Sequence, residues 1–244
     1  MSRLVLTLQP GDIDPLKLER CVRLAAELGF ELEALIIEDQ DLLTIAGLPF
    51  CQEIIRHSAR CRQLSTHRLE NTTRQQLQDL QAQLRRLTRQ SPVPWDLRIY
   101  RGRWFEGLMD GWSQTDLIVL ARGQSDFHPR PSHRVDTAIA VLSAPDGGSY
   151  RALQLAARLA RIQKQPLLVL ALPGSPYQSV QDLPSGLGRL RLESVPDDNP
   201  QSIRRWLPAM ADTLILPLTA IWPDGLPAPH ALLDIPGIQT IVVR

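Results

Sequence analysis

Leu24-Ala25-Ala26-Glu27-Leu28 returns 131 positions later as Leu155-Ala156-Ala157-Arg158-Leu159. Each copy lies near the end of an amphipathic helical pattern, with an apolar run and a turn ahead of it and another apolar run shortly after. The shared unit is strand, turn, helix, strand, and a chain that carries it twice reads first as a tandem.

Working outward, Arg3 to Leu8 is a short apolar run closed by Pro10-Gly11, which predicts a buried parallel strand. Asp14-Pro15 reads as an N-cap and N1 proline, and Gly29 as the stop of the first helix. Leu32 to Ile37 predicts the next strand, followed by Glu38, Asp39 and Asp41. From Asp41 to Gln90 the pattern turns helical and polar, interrupted at Gly47-Leu48-Pro49-Phe50, and Cys51 to Gln90 holds neither Gly nor Pro. Asn71-Thr72-Thr73 is a weak point, so one helix or two fit equally. Leu77, Leu80, Leu84 and Leu87 form a narrow seam that suits one partner helix. It packs either on an oligomer partner or on the protein's own sheet, and its shortness favours the latter.

Strands are expected at Trp95 to Tyr100 and Thr115 to Leu120, with a short helix from Arg103 to Ser113 between them. Gly123 to Arg134 reads as a linker. The second copy opens with a strand at Thr137 to Leu142 and a turn at Pro145 to Ser149, with Ser149 as N-cap. Its helix and the strand Leu167 to Leu172 follow. Further strands are expected at Leu190 to Val195, Thr213 to Leu216 and Thr240 to Val243, with a helix from Pro200 to Ala211. Asp116 and Asp212 are 96 apart, against 131 for the leucines, so 35 extra residues fall in the first half's long helical stretch. Only 21 positions separate Asp116 from Thr137, whereas 32 residues follow Asp212. The first half (1–134) therefore lacks the last helix and strand that the second (135–244) has.

Bulk properties exclude several function classes. The 27 basic residues balance 26 acidic ones, and aromatics are only 5%, which leaves no electrostatic or stacking case for nucleic acid. No apolar run approaches the roughly 20 residues of a membrane span, so no membrane insertion is expected. Cys21, Cys51 and Cys61 are an odd set without Cys-x-x-Cys, which fits a cytoplasmic location and gives no zinc signature.

The helices carrying Leu24–Leu28 and Leu155–Leu159, the later Thr115–Leu120 and Asp212–Leu216 strands, and Arg101-Gly102-Arg103-Trp104-Phe105 ahead of Thr115-Asp116 together resemble the universal stress protein family. The resemblance covers most of the chain as two degenerate copies. It implies an α/β fold, a five-stranded parallel sheet per half with helices on both faces, and halves packed as a pseudo-dimer. It also implies ATP or AMP binding through an Asp ending the first strand and a Gly-x2-Gly-x9-Gly-Ser/Thr loop after the fourth. Here the sequence departs. Ala121 to Asp126 and Pro217 to Trp222 lack that glycine spacing, and the first strand ends in Gln9-Pro10-Gly11 with Asp12 only beyond the turn. A phosphate cradle needs backbone approach that glycine permits and Pro or Trp forbids.

The remaining ligand candidate is Asp146-Gly147-Gly148-Ser149, at a strand's carboxyl end beside a helix N-terminus. Read plainly, it is a tight turn with a Ser cap. It is not the Ser-Gly-Gly-x-Asp-Ser of pyrophosphatases. His128 and His133, with Asp126, Arg130, Arg134 and Asp136, read as a solvated loop before a metal or phosphate patch. His57 and His67 are ten apart, not at ligand spacing. No serine has a hydrolase context. Arg85-Arg86 and Arg204-Arg205 read as solvated helix faces, and Phe105, Trp206 and Trp222 as core. The expectation is a non-catalytic scaffold or regulatory protein with no cofactor. It would act as a homodimer or on a protein partner through a sheet edge, its C-terminal strand and its long helices. The alternative is a stress-response sensor of AMP or ATP using the second half.

Overall fold

The computed structural model describes residues 2–9, 14–55, 59–113, 115, 117–120, 137–145, 148–195, 200–221, 231–233, 235 and 237–244. The elements are β1 (Arg3–Leu8), α1 (Pro15–Leu28), β2 (Glu31–Asp39), α2 (Gln40–Ala46), β3 (Gln52–Ile55), β4 (Arg60–Gln63), α3 (Thr66–Gln90), β5 (Trp95–Gly102), α4 (Trp104–Ser113) and β6 (Leu117–Leu120). They continue with β7 (Ala138–Ser143), α5 (Gly148–Gln163), β8 (Leu167–Ala171), β9 (Leu190–Ser194), α6 (Pro200–Met210), β10 (Ala211–Pro217), α7 (Leu218–Ile221) and β11 (Gln239–Val243).

Nine strands form one sheet in the order β5-β2-β1-β6-β11-β10-β7-β8-β9. Every pairing is parallel except β6 with β11. Read outward from β11, the order β6-β1-β2-β5 on one side matches β10-β7-β8-β9 on the other. Because β6 and β10 run in opposite directions beside β11, the two sides match as by a half turn about the sheet normal at β11. Among the described residues the first half contributes four strands to this sheet rather than the five that the resemblance implies, and β11 stands where its fifth would lie. The expectation of the C-terminal strand as an interface element is corrected here, because β11 is central, bonded on both edges. An open edge on β6 would template foreign strands.

Apolar layers cover both faces. Leu4, Leu6 and Leu8 of β1 point to the side of α1, α3 and α5, while Val5 points to the side of α4 and α6. The first helix forms as the sequence predicts. The Asp14 carboxylate accepts from Leu16 N at 2.9 Å, Pro15 fills N1, and Gly29 closes the end at φ 67° with Phe30 N bonded to Ala25 O.

The register corrects the offset between the halves. Leu4 lies opposite Leu32 and Ile139 opposite Leu167, a step of 28 in each half, and matching the helix ends makes equivalent positions differ by 135. The helix ends agree: Lys164 takes the left-handed conformation that Gly29 takes, and Gln165 N bonds Ala160 O as Phe30 N bonds Ala25 O. The two Leu-Ala-Ala-x-Leu copies are thus one helical turn out of step, and Leu24 corresponds to Leu159. Both fit because a four-residue slip keeps an apolar stripe on the same face.

The stretch from 51 to 90 is the second correction. It opens with an antiparallel β3–β4 hairpin, and the helix starts only at Thr66, running unbroken through Asn71-Thr72-Thr73 to Gln90. The hairpin was hidden because Ala59 enters the left-handed region (φ 50°) without a glycine to announce it. The seam Leu80, Leu84 and Leu87 is buried against the protein's own core and packs on α1.

Candidate functional site

At the carboxyl end of β7, the side chains present bond to one another. Ser149 lies inside the first turn of α5 rather than at its N-cap, and its buried hydroxyl accepts from Ala144 N and donates to Ala144 O, both at 2.9 Å. The Ser143 and Ser175 hydroxyls share a hydrogen bond of 2.6 Å, and Ser175 Oγ also accepts from Tyr177 N. Of the predicted quartet, Gly148 begins α5, while Asp146 and Gly147 lie outside the described residues.

The corresponding end of the first half is different. Strands β1, β2 and β5 finish there under a roof made by α2 and the first half of α3, leaving a cavity of about 550 Å³. Ligand sites of open α/β sheets sit at this end of the strands, and the volume suits a small molecule. The insertion builds the roof. Leu32 and its partner Trp95 are 63 positions apart, against 23 for the equivalent Leu167 and Leu190.

Six apolar side chains line it: Ile37 from β2, Leu42 and Leu43 from α2, Leu69 and Leu77 from α3, and Ile99 from β5. Polar groups are set among them. Glu38, at the end of β2, accepts from Arg101 Nε at 2.8 Å. That bond, then the carboxylate's charge and, less, that of Glu70, raises the pKa of the guanidinium. Asp39 caps α2, with Oδ1 accepting from Asp41 N at 2.9 Å and Leu42 N at 3.3 Å. Gln76 also lines the cavity, and its Oε1 is buried without a hydrogen-bond partner.

The sequence reading registered Glu38 and Asp39 only as strand-end markers. The signal that points to the cavity is the position of the extra residues, which follow a strand's carboxyl end. A separate ionic cluster ties the opposite end of the sheet to α4. There Glu33 is buried between Arg3 (2.9 Å) and Arg98 (3.3 Å), and Arg98 also bonds Asp110.

The other candidates are not drawn together. His67 is exposed on α3 and bonds Asn71, whereas His57, His128 and His133 lie outside the described residues, as do Asp126, Arg130, Arg134 and Asp136. So do the loops after β6 and α7, the position of Trp222, and the side chains of Phe105, Arg205 and Trp206. Arg85 and Arg86 face solvent. Among the described residues no group of three His, Cys, Asp or Glu side chains is placed to hold a metal, and no helix is long and apolar enough to cross a membrane.

No protein-family model matches this chain, and no curated protein sequence does. Among solved structures it is similar to a universal stress protein from Archaeoglobus fulgidus DSM 4304. The two share 9% identity and superpose with a TM-score of 0.58 over 98% of this chain and 96% of that one. At that identity the likeness speaks for architecture: the fold of this chain is that of a universal stress protein.

Proposed function

We propose that the protein is a non-catalytic regulatory protein of the cytoplasm, built from two degenerate universal-stress-protein-like halves and acting through protein–protein contacts. The observation that carries this reading is the surface of the insertion. Phe50 is 77% and Ile54 70% exposed, and Leu42, Ile45 and Leu48 beside them in sequence are exposed as well. Apolar side chains gathered in one segment outside the core mark an interaction surface. The homodimer is the simplest assembly such a surface supports. Loss of nucleotide binding is supported by the missing glycine spacing after the fourth strand of each half, and by a Ser149 hydroxyl already engaged with Ala144.

Two measurements test the proposal. A ligand present at 100 times its Kd adds about 2.7 kcal/mol, which for a chain of this size is roughly 5–10 °C in Tm. Thermal melts should show no such shift with ATP and Mg²⁺; a shift that large means the protein is a nucleotide sensor. Light scattering should give a dimer mass for the parent and a monomer mass for Phe50→Glu/Ile54→Glu, and unchanged masses would remove the insertion from the interface.

A further inference from the structure

The cavity of the first half has a chemical character that the missing phosphate loops do not explain. Its polar lining sets carboxylates beside one further guanidinium, Arg74, which donates to Asn71 Oδ1 at 3.5 Å. The charge of Arg101 is taken up by Glu38, while Asp39 uses one carboxylate oxygen for the α2 cap and has a second to offer. Glu70 stands exposed on α3. Three carboxylates line the cavity against two guanidiniums, so the local charge disfavours a polyanion and favours a cation. The apolar walls from β2, α2, α3 and β5 accept a hydrophobic body.

We propose that this cavity binds an amphipathic organic amine, with its apolar body between α2, α3 and the strand ends and its ammonium group between Asp39 and Glu70. The roof of α2 and α3, absent from the second half, makes the site a property of this half alone. Leu42 belongs to both this cavity and the exposed apolar segment, but Phe50 and Ile54 do not line the cavity, so titrating the Phe50→Glu/Ile54→Glu variant separates the two readings.

Calorimetric titration with tryptamine and with indole-3-propionate tests the charge preference, since the two share an indole body and carry opposite charges. Tryptamine should saturate at one per chain and bind at least tenfold tighter. In amide chemical-shift mapping of the unaltered protein it should move Glu38, Asp39 and Gln76 and leave Ser149 in place. Leu77→Trp and Leu43→Trp, which fill the cavity from α3 and α2, should each abolish saturation while the melting transition is retained. Equal binding of the two indoles, absence of binding by either at millimolar concentration, or shifts centred on Ser149 would overturn the proposal. The mapping decides the matter even if both filling variants fail to fold.

Discussion

Gly29 and Lys164 hold equivalent positions at the ends of α1 and α5, both with positive φ, but only the first is the residue that conformation favours. A Cβ at Gly29 would meet nothing within 4 Å, so backbone strain alone decides the effect of a side chain there. Lys164→Gly is expected to stabilise the protein by roughly 0.5–1 kcal/mol and Gly29→Ala to destabilise it by about 1 kcal/mol, as urea unfolding midpoints will report. Cys21 gives a prediction in pH. Burial pushes its thiol from 9.0 up to about 12, against smaller opposing effects of Gln239, Lys17 and Arg20. The folded state therefore holds the proton longer than the unfolded chain. Its contribution is whole below pH 9 and is lost as pH rises towards 12, by up to about 1.4 kcal/mol per pH unit. Relative to Cys21→Ala, the parent should lose stability more steeply above pH 9. The capping residues Asp14, Pro15 and Gly29 were legible in the sequence because each acts locally. Lys164 was not, since a lysine in the left-handed region has no compositional signature.

Glycine does different work in α4, where it lets the helix lie close to the sheet. A Cβ on Gly107 would stand 2.7 Å from Tyr100 Cδ1 and 3.0 Å from Ile37 Cγ1, and one on Gly111 2.9 Å from Leu35 Cδ2. An exposed helical Gly→Ala gains up to about 1 kcal/mol. Gly107→Ala should instead cost about 1–3 kcal/mol through overpacking, visible as a lower Tm. Strongly patterned elements could be read from the chain: β1 and β7 as continuous apolar runs because both faces are buried, α1 and α5 by their helical stripe. The β3–β4 hairpin could not, for its strands are four residues each and its turn uses Ala59. The matched Leu-Ala-Ala-x-Leu motifs mislead by one turn for a related reason: a helix face fixes residue type only modulo its own repeat.

The whole molecule is organised by a strand that belongs to the second half and serves both. Counting residues after Asp116 and Asp212 showed that the first half stops short, but sequence alone left the resulting edge available for a partner. The fold closes that edge internally, since β11 bonds β6 on one side and β10 on the other. The cavity was not legible either, because it arises where an insertion crosses three strand ends that lie far apart in the chain. Among the described residues, the outer strands β5 and β9 and the insertion that carries Phe50 and Ile54 remain open to partners. The central claim is the position of β11, in the middle of the sheet between β6 and β10. Amide hydrogen exchange of Thr240 to Val243 tests it most directly. Protection as slow as that of β1 and β7 is the predicted result, and exchange faster than in the outer strands β5 and β9 would contradict it.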